Sequence, residues 1–201
     1  MEPFAGYVPR GFLVDFLGCL TDASFRTMWG IDAAQVGGDF VSTNYPSVKD
    51  GEPFFEAVDW FEAARDARNN YTMITLGACY GAQAVGAYRA LQRINPMPAK
   101  LVAVEAEPEN FAWVQKHFRD NGLHPNDDWL LQCALSDSYE PVLFPVGAAG
   151  SGANNCYSTN THVNGAMTKP RSSVELRFQS HKTIFDIIGE CVGRGSIAAG
   201  D

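Results

Sequence analysis

Tyr71-Thr-Met-Ile-Thr-Leu-Gly-Ala-Cys-Tyr-Gly81 decides how this chain is read. An apolar run, Tyr71 to Leu76, predicts a strand, and Gly77-Ala-Cys-Tyr-Gly81 predicts a tight turn into a helix. Two glycines in such a turn let backbone amides approach a ligand and leave a helix N-terminus pointing at it. A second strand, Lys100-Leu-Val-Ala-Val-Glu105, carries its acid at the carboxyl end, 24 positions after Gly81. An acid there can accept hydrogen bonds from both hydroxyls of a ribose. Turn and acid together predict a nucleotide-type cofactor site, although a tight strand-to-helix turn can need both glycines with no ligand present.

Three ligands compete for the site. A phosphate loop needs a Gly-Lys-Ser/Thr run, and Gly81 is followed by Ala82-Gln83. A dinucleotide fold prefers G-x-G-x-x-G, and an oxidoreductase of that class would add Tyr-x-x-x-Lys, yet Tyr88 is followed four positions later by Gln92. S-adenosyl-L-methionine lacks a pyrophosphate, tolerates a looser glycine turn and fits best.

The motifs around these strands resemble the FkbM-type S-adenosylmethionine-dependent methyltransferases. The resemblance is carried by Gly77-Ala-Cys-Tyr-Gly81, Val104-Glu-Ala-Glu-Pro-Glu-Asn-Phe111, Asn121-Gly122 and Cys133-Ala-Leu-Ser-Asp137. It is clear over residues 71–146 and extends weakly to Thr183-Ile-Phe-Asp-Ile-Ile188. It implies a Rossmann-like methyltransferase fold of α/β class, O-methylation of a small metabolite or glycan, and a cofactor wall of Gly77, Ala78, Cys79, Gly81, Glu105 and Ala134. Thr75, Tyr80, Ala106 and Cys133 complete that candidate set. Thr75 stands where the family usually places an acid for the methionine amine, and Cys133-Ala134 stands where it sets a side chain against adenine. The family's later Asp-x-x-Gly-x-Glu strand has no counterpart in Gly189 to Asp201, so the sheet is expected to be incomplete, with Tyr71 to Leu76 at its edge. A non-catalytic or truncated Rossmann-like binding module is the alternative reading.

Several candidates carry structural readings of equal standing. Glu107, just before Pro108, suits a helix N-terminus; Cys133 suits a small core position; Ser136 and Asp137 suit a turn. Tyr80 and Gln83 either touch the methionine end or cap the helix. The histidines His117, His124, His162 and His181 lack metal-ligand spacing and read as surface residues, with His162 alone in a polar loop where it could serve a hydroxyl acceptor as base. No residue is assigned as catalytic, because the sulfonium is already activated and alignment supplies much of the rate.

The remaining composition sets limits. A chain of 201 residues, 46% hydrophobic, suffices for a core, and a net charge of −8 without a Lys/Arg run argues against a nucleic-acid partner. No apolar run approaches membrane length and Met1 to Tyr7 lack signal-peptide features, so a cytoplasmic protein with no membrane partner is expected. Five cysteines without C-x-x-C spacing read as reduced thiols.

The reading divides the chain into a loop-rich extension, residues 1–50, and a partial methyltransferase domain, residues 51–201. A helix is expected from near Pro53, with a stripe of Phe54, Ala57, Val58, Phe61 and Ala64. Others are expected from Gly81 to Pro96 and from Pro108 to Gly122. Further strands are expected at Trp129 to Leu135, Pro141 to Val146 and Val174 to Phe178, the last two antiparallel to one another. The polar stretch Gly147 to Ser173 reads as a substrate lid or as disordered chain.

Overall fold

The computed structural model describes residues 1–136, 142–146, 175–179 and 181–197. Its amino-terminal 50 residues carry short strands and 3-10 helices between loops. Strands β1 (Ala5–Tyr7) and β2 (Phe12–Val14) are followed by β3 (Leu20–Asp22), a 3-10 helix over Ala23–Trp29, and β4 (Phe40–Ser42). β1 pairs with β4 and β2 with β3, both antiparallel. Three-residue strands are too short to show an alternating pattern, which is why the sequence hides them. The β2–β3 hairpin is closed by Asp15, whose carboxylate accepts the Leu17 and Cys19 amides at 2.8 Å each. That turn delivers Leu17 and Cys19 into the main core beside Ala84, Val85 and Phe118.

From residue 52 the order follows the expected alternation. Helix α1 (Glu52–Asp66) leads to β5 (Tyr71–Leu76), α2 (Ala82–Ile94), β6 (Ala99–Glu105), α3 (Pro108–Asp120) and β7 (Trp129–Gln132). The three strands form one parallel sheet in the order β5-β6-β7. The molecule is thus mixed α/β, with β6 central and buried. Its side chains alternate: Leu101 and Ala103 join the core under α2 and α3, while Val102 and Val104 face the other way. Among the described residues β5 has β6 as its only strand neighbour.

The third expected strand is two. β7 stops at Gln132, and β8 (Ala134–Leu135) leaves β6 to pair in parallel with β11 (His181–Lys182). Between them, β9 (Val142–Val146) and β10 (Glu175–Gln179) form the expected antiparallel pair. Helix α4 (Ile184–Ile197) follows, so residues 189–197 are helical and not strand. Its start is a reciprocal cap: Asp186 accepts from the Thr183 amide and hydroxyl at 2.8 Å each, and the hydroxyl accepts the Asp186 amide at 3.1 Å. Ile187 then packs on Val102, Val104 and Cys133. The sheet therefore has α2 and α3 on one face and α4 on the other. Pro141, Gly147 to Ser173 and the last four residues lie outside the described residues, as do Asp137, Cys156 and His162.

The α1–α2 contact depends on a glycine. A Cβ at Gly86 would come within 2.5 Å of the Trp60 ring. Alanine gains up to about 1 kcal/mol of helix propensity, whereas forcing a ring out of a packed interface costs about 1–3 kcal/mol. Gly86→Ala is expected to destabilise the fold by about 1–2 kcal/mol, read as a lower urea midpoint; a midpoint at or above that of the wild type would show that Trp60 has room to move.

Candidate functional site

The turn after β5 is built from left-handed positions, Gly77 at φ 76°, Cys79 at φ 53° and Gly81 at φ 88°. A Cβ on Gly81 would press on Phe118 at 3.3 Å, so this glycine serves packing as well as the turn. One on Gly77 would meet nothing within 4 Å, so the turn presents an open face there. The Gly77 and Ala78 amides donate to the Val104 carbonyl at 2.9 and 2.8 Å, which fixes the turn against the end of β6. Cys79, as a non-glycine residue in this region, is strained backbone that its surroundings must hold.

Glu105 does the holding. One carboxylate oxygen accepts the Cys79 amide at 2.7 Å and the other accepts the Glu107 amide at 2.8 Å. The acid expected beside the glycine turn is there, bonded to it through the Cys79 amide. It also shows a role that spacing does not reveal, a knot between the ends of β5 and β6 that leaves only 3% of the residue exposed. Burial pushes the Glu105 carboxyl above its ordinary range, partly offset by the main-chain bonds it accepts. The same burial, with the Glu105 charge added, pushes the Cys79 thiol up to about 11. This thiol stays protonated and is no thiolate nucleophile at neutral pH.

The other candidates are distributed unevenly. Ala106 and Ala134 meet in one buried cluster with Phe144 and Val146, so the ends of β6 and β8 converge. Cys133 is buried with Val102, Val104 and Ile187, as a small core residue would be. Glu107 caps α3 by accepting the Asn110 amide at 2.6 Å. Thr75 lies opposite Ala103 and is 7% exposed, and its hydroxyl has no hydrogen-bond partner among the described residues. Gln83 turns to Glu56 on α1 at 3.3 Å, neither capping α2 nor facing the turn.

Tyr80 points toward the amino-terminal segment. Its ring packs tilted on Phe25 at 4.5 Å and edge-to-face with His117 at 5.2 Å, and its hydroxyl accepts from Arg26 at 2.6 Å. The Ala23–Trp29 helix therefore lies on the glycine turn. Asn121 anchors the approach: its side-chain oxygen accepts the Leu20 amide, and its nitrogen donates to the Leu20 carbonyl, at 2.8 Å each. Lys116 adds an ion pair to Asp22 at 3.0 Å. Nothing in the sequence pairs Arg26 with Tyr80, 54 positions apart. Asn121 was visible only as part of a helix stop.

The chain matches no family model, no curated protein and no solved structure. Among the described residues no group of three His, Cys, Asp or Glu is placed to hold a metal ion, and no helix is long and apolar enough to cross a membrane. Cys19, Cys79 and Cys133 are free thiols.

His117 corrects the expectation of surface histidines. It is buried on α3 against Tyr80, and burial, followed by the charges of Lys116 and Arg26, lowers its pKa from 6.5 to about 4. The folded state holds the neutral ring while the unfolded chain takes a proton near pH 6.5. Stability is therefore complete above pH 6.5 and falls as pH drops toward about 4, below which this contribution levels off. The loss is on the order of 3 kcal/mol. Urea titrations across this range should show it in the wild type and lack that component in His117→Phe; parallel curves would place the ring's proton equilibrium elsewhere.

Proposed function

We propose that this chain binds S-adenosyl-L-methionine at the carboxyl ends of β5 and β6, in the manner of a Rossmann-like methyltransferase of the FkbM type. The observation that carries the proposal is the junction of Glu105 with the glycine turn through the Cys79 amide. A ribose-type acid and an open, positively directed helix start share one small volume there. The residues fit the group in two further respects. Gly77 leaves the open face that a flat ligand needs, and the buried Thr75 hydroxyl is an unused hydrogen-bonding group at the same strand end.

In this reading Gly77, Ala78, Cys79 and Gly81 form the backbone wall, and Glu105 accepts ribose hydroxyls with the lone pairs that its two amide bonds leave over. When bound, the cofactor supplies a methyl group already activated on a sulfonium, so the protein's work is to orient an acceptor and exclude water. The acceptor class that the resemblance suggests is an oxygen nucleophile on a small metabolite or glycan, and the acidic net charge disfavours nucleic acid.

A second reading, a non-catalytic binding module, is favoured by a specific pair of observations: an uncharged Thr75 where an ammonium needs compensation, and β5 at the edge of the described sheet. Calorimetry with S-adenosylmethionine and S-adenosylhomocysteine tests the shared cofactor claim; absence of heat with both ends it. Thr75→Asp, which returns the missing charge, is expected to tighten the cofactor by about 1–2 kcal/mol. Unchanged or weaker binding in a folded variant would mean that another group compensates the ammonium.

A further inference from the structure

The amino-terminal 3-10 helix brings an arginine to the turn that Glu105 also holds. Arg26 lies over the Tyr80 ring at 5.1 Å from its centroid and donates to the Tyr80 hydroxyl at 2.6 Å. Tyr80 is itself part of the glycine turn and immediately precedes Gly81, the residue that opens α2. The guanidinium's charge reaches both the Cys79 thiol and His117. Glu105 is bonded to the Cys79 amide of the same turn, and both it and Glu107 are buried and tied to main-chain amides.

This places a fixed cation and two fixed anions around one open turn. The cation suits a ligand that carries a carboxylate better than a neutral nucleoside, because the guanidinium offers the carboxylate an opposite charge and a fork of N–H donors. His117, the other basic group near the turn, is neutral by burial and does not compete for a carboxylate. Arg26 is held by more than its own bonds. Phe25 is buried between Tyr80 and Trp113, at 4.5 and 5.5 Å, and Asn121 and Lys116 bind the chain just before the helix. A guanidinium fixed in this way loses less freedom on meeting a ligand than a mobile surface lysine would.

We infer that Arg26 binds the carboxylate of the ligand's amino-acid moiety, so that the amino-terminal segment is a working wall of the site and selects ligands that carry an amino acid. The inference rests on the cofactor reading above and adds a ligand-binding role for a residue outside the motifs that suggested it. Arg26 is a ligand-binding residue in this account; Tyr80 is a positioning residue that acts through it.

The test compares two ligands, S-adenosylhomocysteine and its decarboxylated analogue, which keeps the adenosine and the ammonium. Calorimetry is run on the full chain, on Arg26→Gln and on Arg26→Lys, with thermal melts confirming that each variant is folded. The wild type is expected to prefer the carboxylated ligand by about ten-fold or more, Arg26→Gln to bring the two within about two-fold, and Arg26→Lys to retain part of the preference. Gln keeps a donor for the Tyr80 hydroxyl while removing the charge, so the packing of the segment survives the change. If Arg26→Gln discriminates as strongly as the wild type, the inference falls and the cofactor reading stands. If the wild type binds both ligands equally, the inference also falls. If it binds neither, the cofactor reading falls and takes the role of Arg26 with it.

Discussion

Asn121→Ala is expected to lower the unfolding free energy by about 2–4 kcal/mol and to release the β2–β3 hairpin from the rest of the fold. The side chain makes three hydrogen bonds, to the Leu20 amide and carbonyl at 2.8 Å each and to the His117 carbonyl at 2.9 Å. Alanine would leave the Leu20 groups without partners in a place where Asn121 itself is buried, and an unmet buried donor costs more than a hydrogen bond contributes. The loss also spreads. Leu17, Cys19 and Phe25 reach the core through the segment that Asn121 fixes. Hydrogen exchange at Leu20, with urea unfolding, measures both effects. Asn121→Asp should retain the acceptor for the Leu20 amide and lose the donor to its carbonyl, with an intermediate cost. An alanine variant of wild-type stability, with Leu20 still protected, would show that the hairpin is held by packing alone.

Glu105→Ala is the second large change, and it should remove both fold stability and ligand binding. The carboxylate accepts the Cys79 and Glu107 amides, at 2.7 and 2.8 Å, and the residue is buried. Its loss leaves two buried donors unmet and frees Cys79, whose φ of 53° is unfavourable without that bond. We expect a loss of about 2–4 kcal/mol in unfolding free energy. Binding of S-adenosylhomocysteine should fall by more than about ten-fold, since the turn that forms the wall would no longer be fixed and the ribose acceptor would be gone. Glu105→Gln separates the two roles. It keeps one acceptor oxygen but turns a second donor toward an amide, so the fold should suffer less than in the alanine variant. Unaltered stability in Glu105→Ala would show that the turn needs no knot; unaltered affinity would remove the acid from the ligand site.

The elements that the sequence announced are those whose signals are local. β5 and β6 read as strands because they are short apolar runs bounded by Gly77 and Pro108. Helix α3 begins at Pro108 and ends before Gly122, at φ 76°, where its cap signals lie. The proximity of Gly77 and Glu105 followed from parallel pairing, because strands in parallel register bring their carboxyl ends to one side. The four amino-terminal strands carried no such signal. Each is three residues long and stands only because it is docked. His117 was likewise illegible, since a histidine on an amphipathic helix sits at the surface unless something arrives to cover it, and what arrives is the ring of Tyr80.

Trp129 to Leu135 marks the limit of a reading based on apolar runs. Only Gln132 interrupts the run, yet the strand breaks at Cys133, because its last two residues take β11 and not β6 as partner. By itself, the sequence determined the alternation of strands and helices from α1 to β7 and the position of the glycine turn, since propensity, capping and periodicity act over a few residues. Only the tertiary structure decided that Leu17, Cys19 and Phe25 of the amino-terminal segment are buried, that Glu105 closes the turn and that Arg26 stands beside it. Those facts are contacts between groups 26 to 101 positions apart, and their energies come from burial and from hydrogen bonds that exist only after the chain has closed on itself.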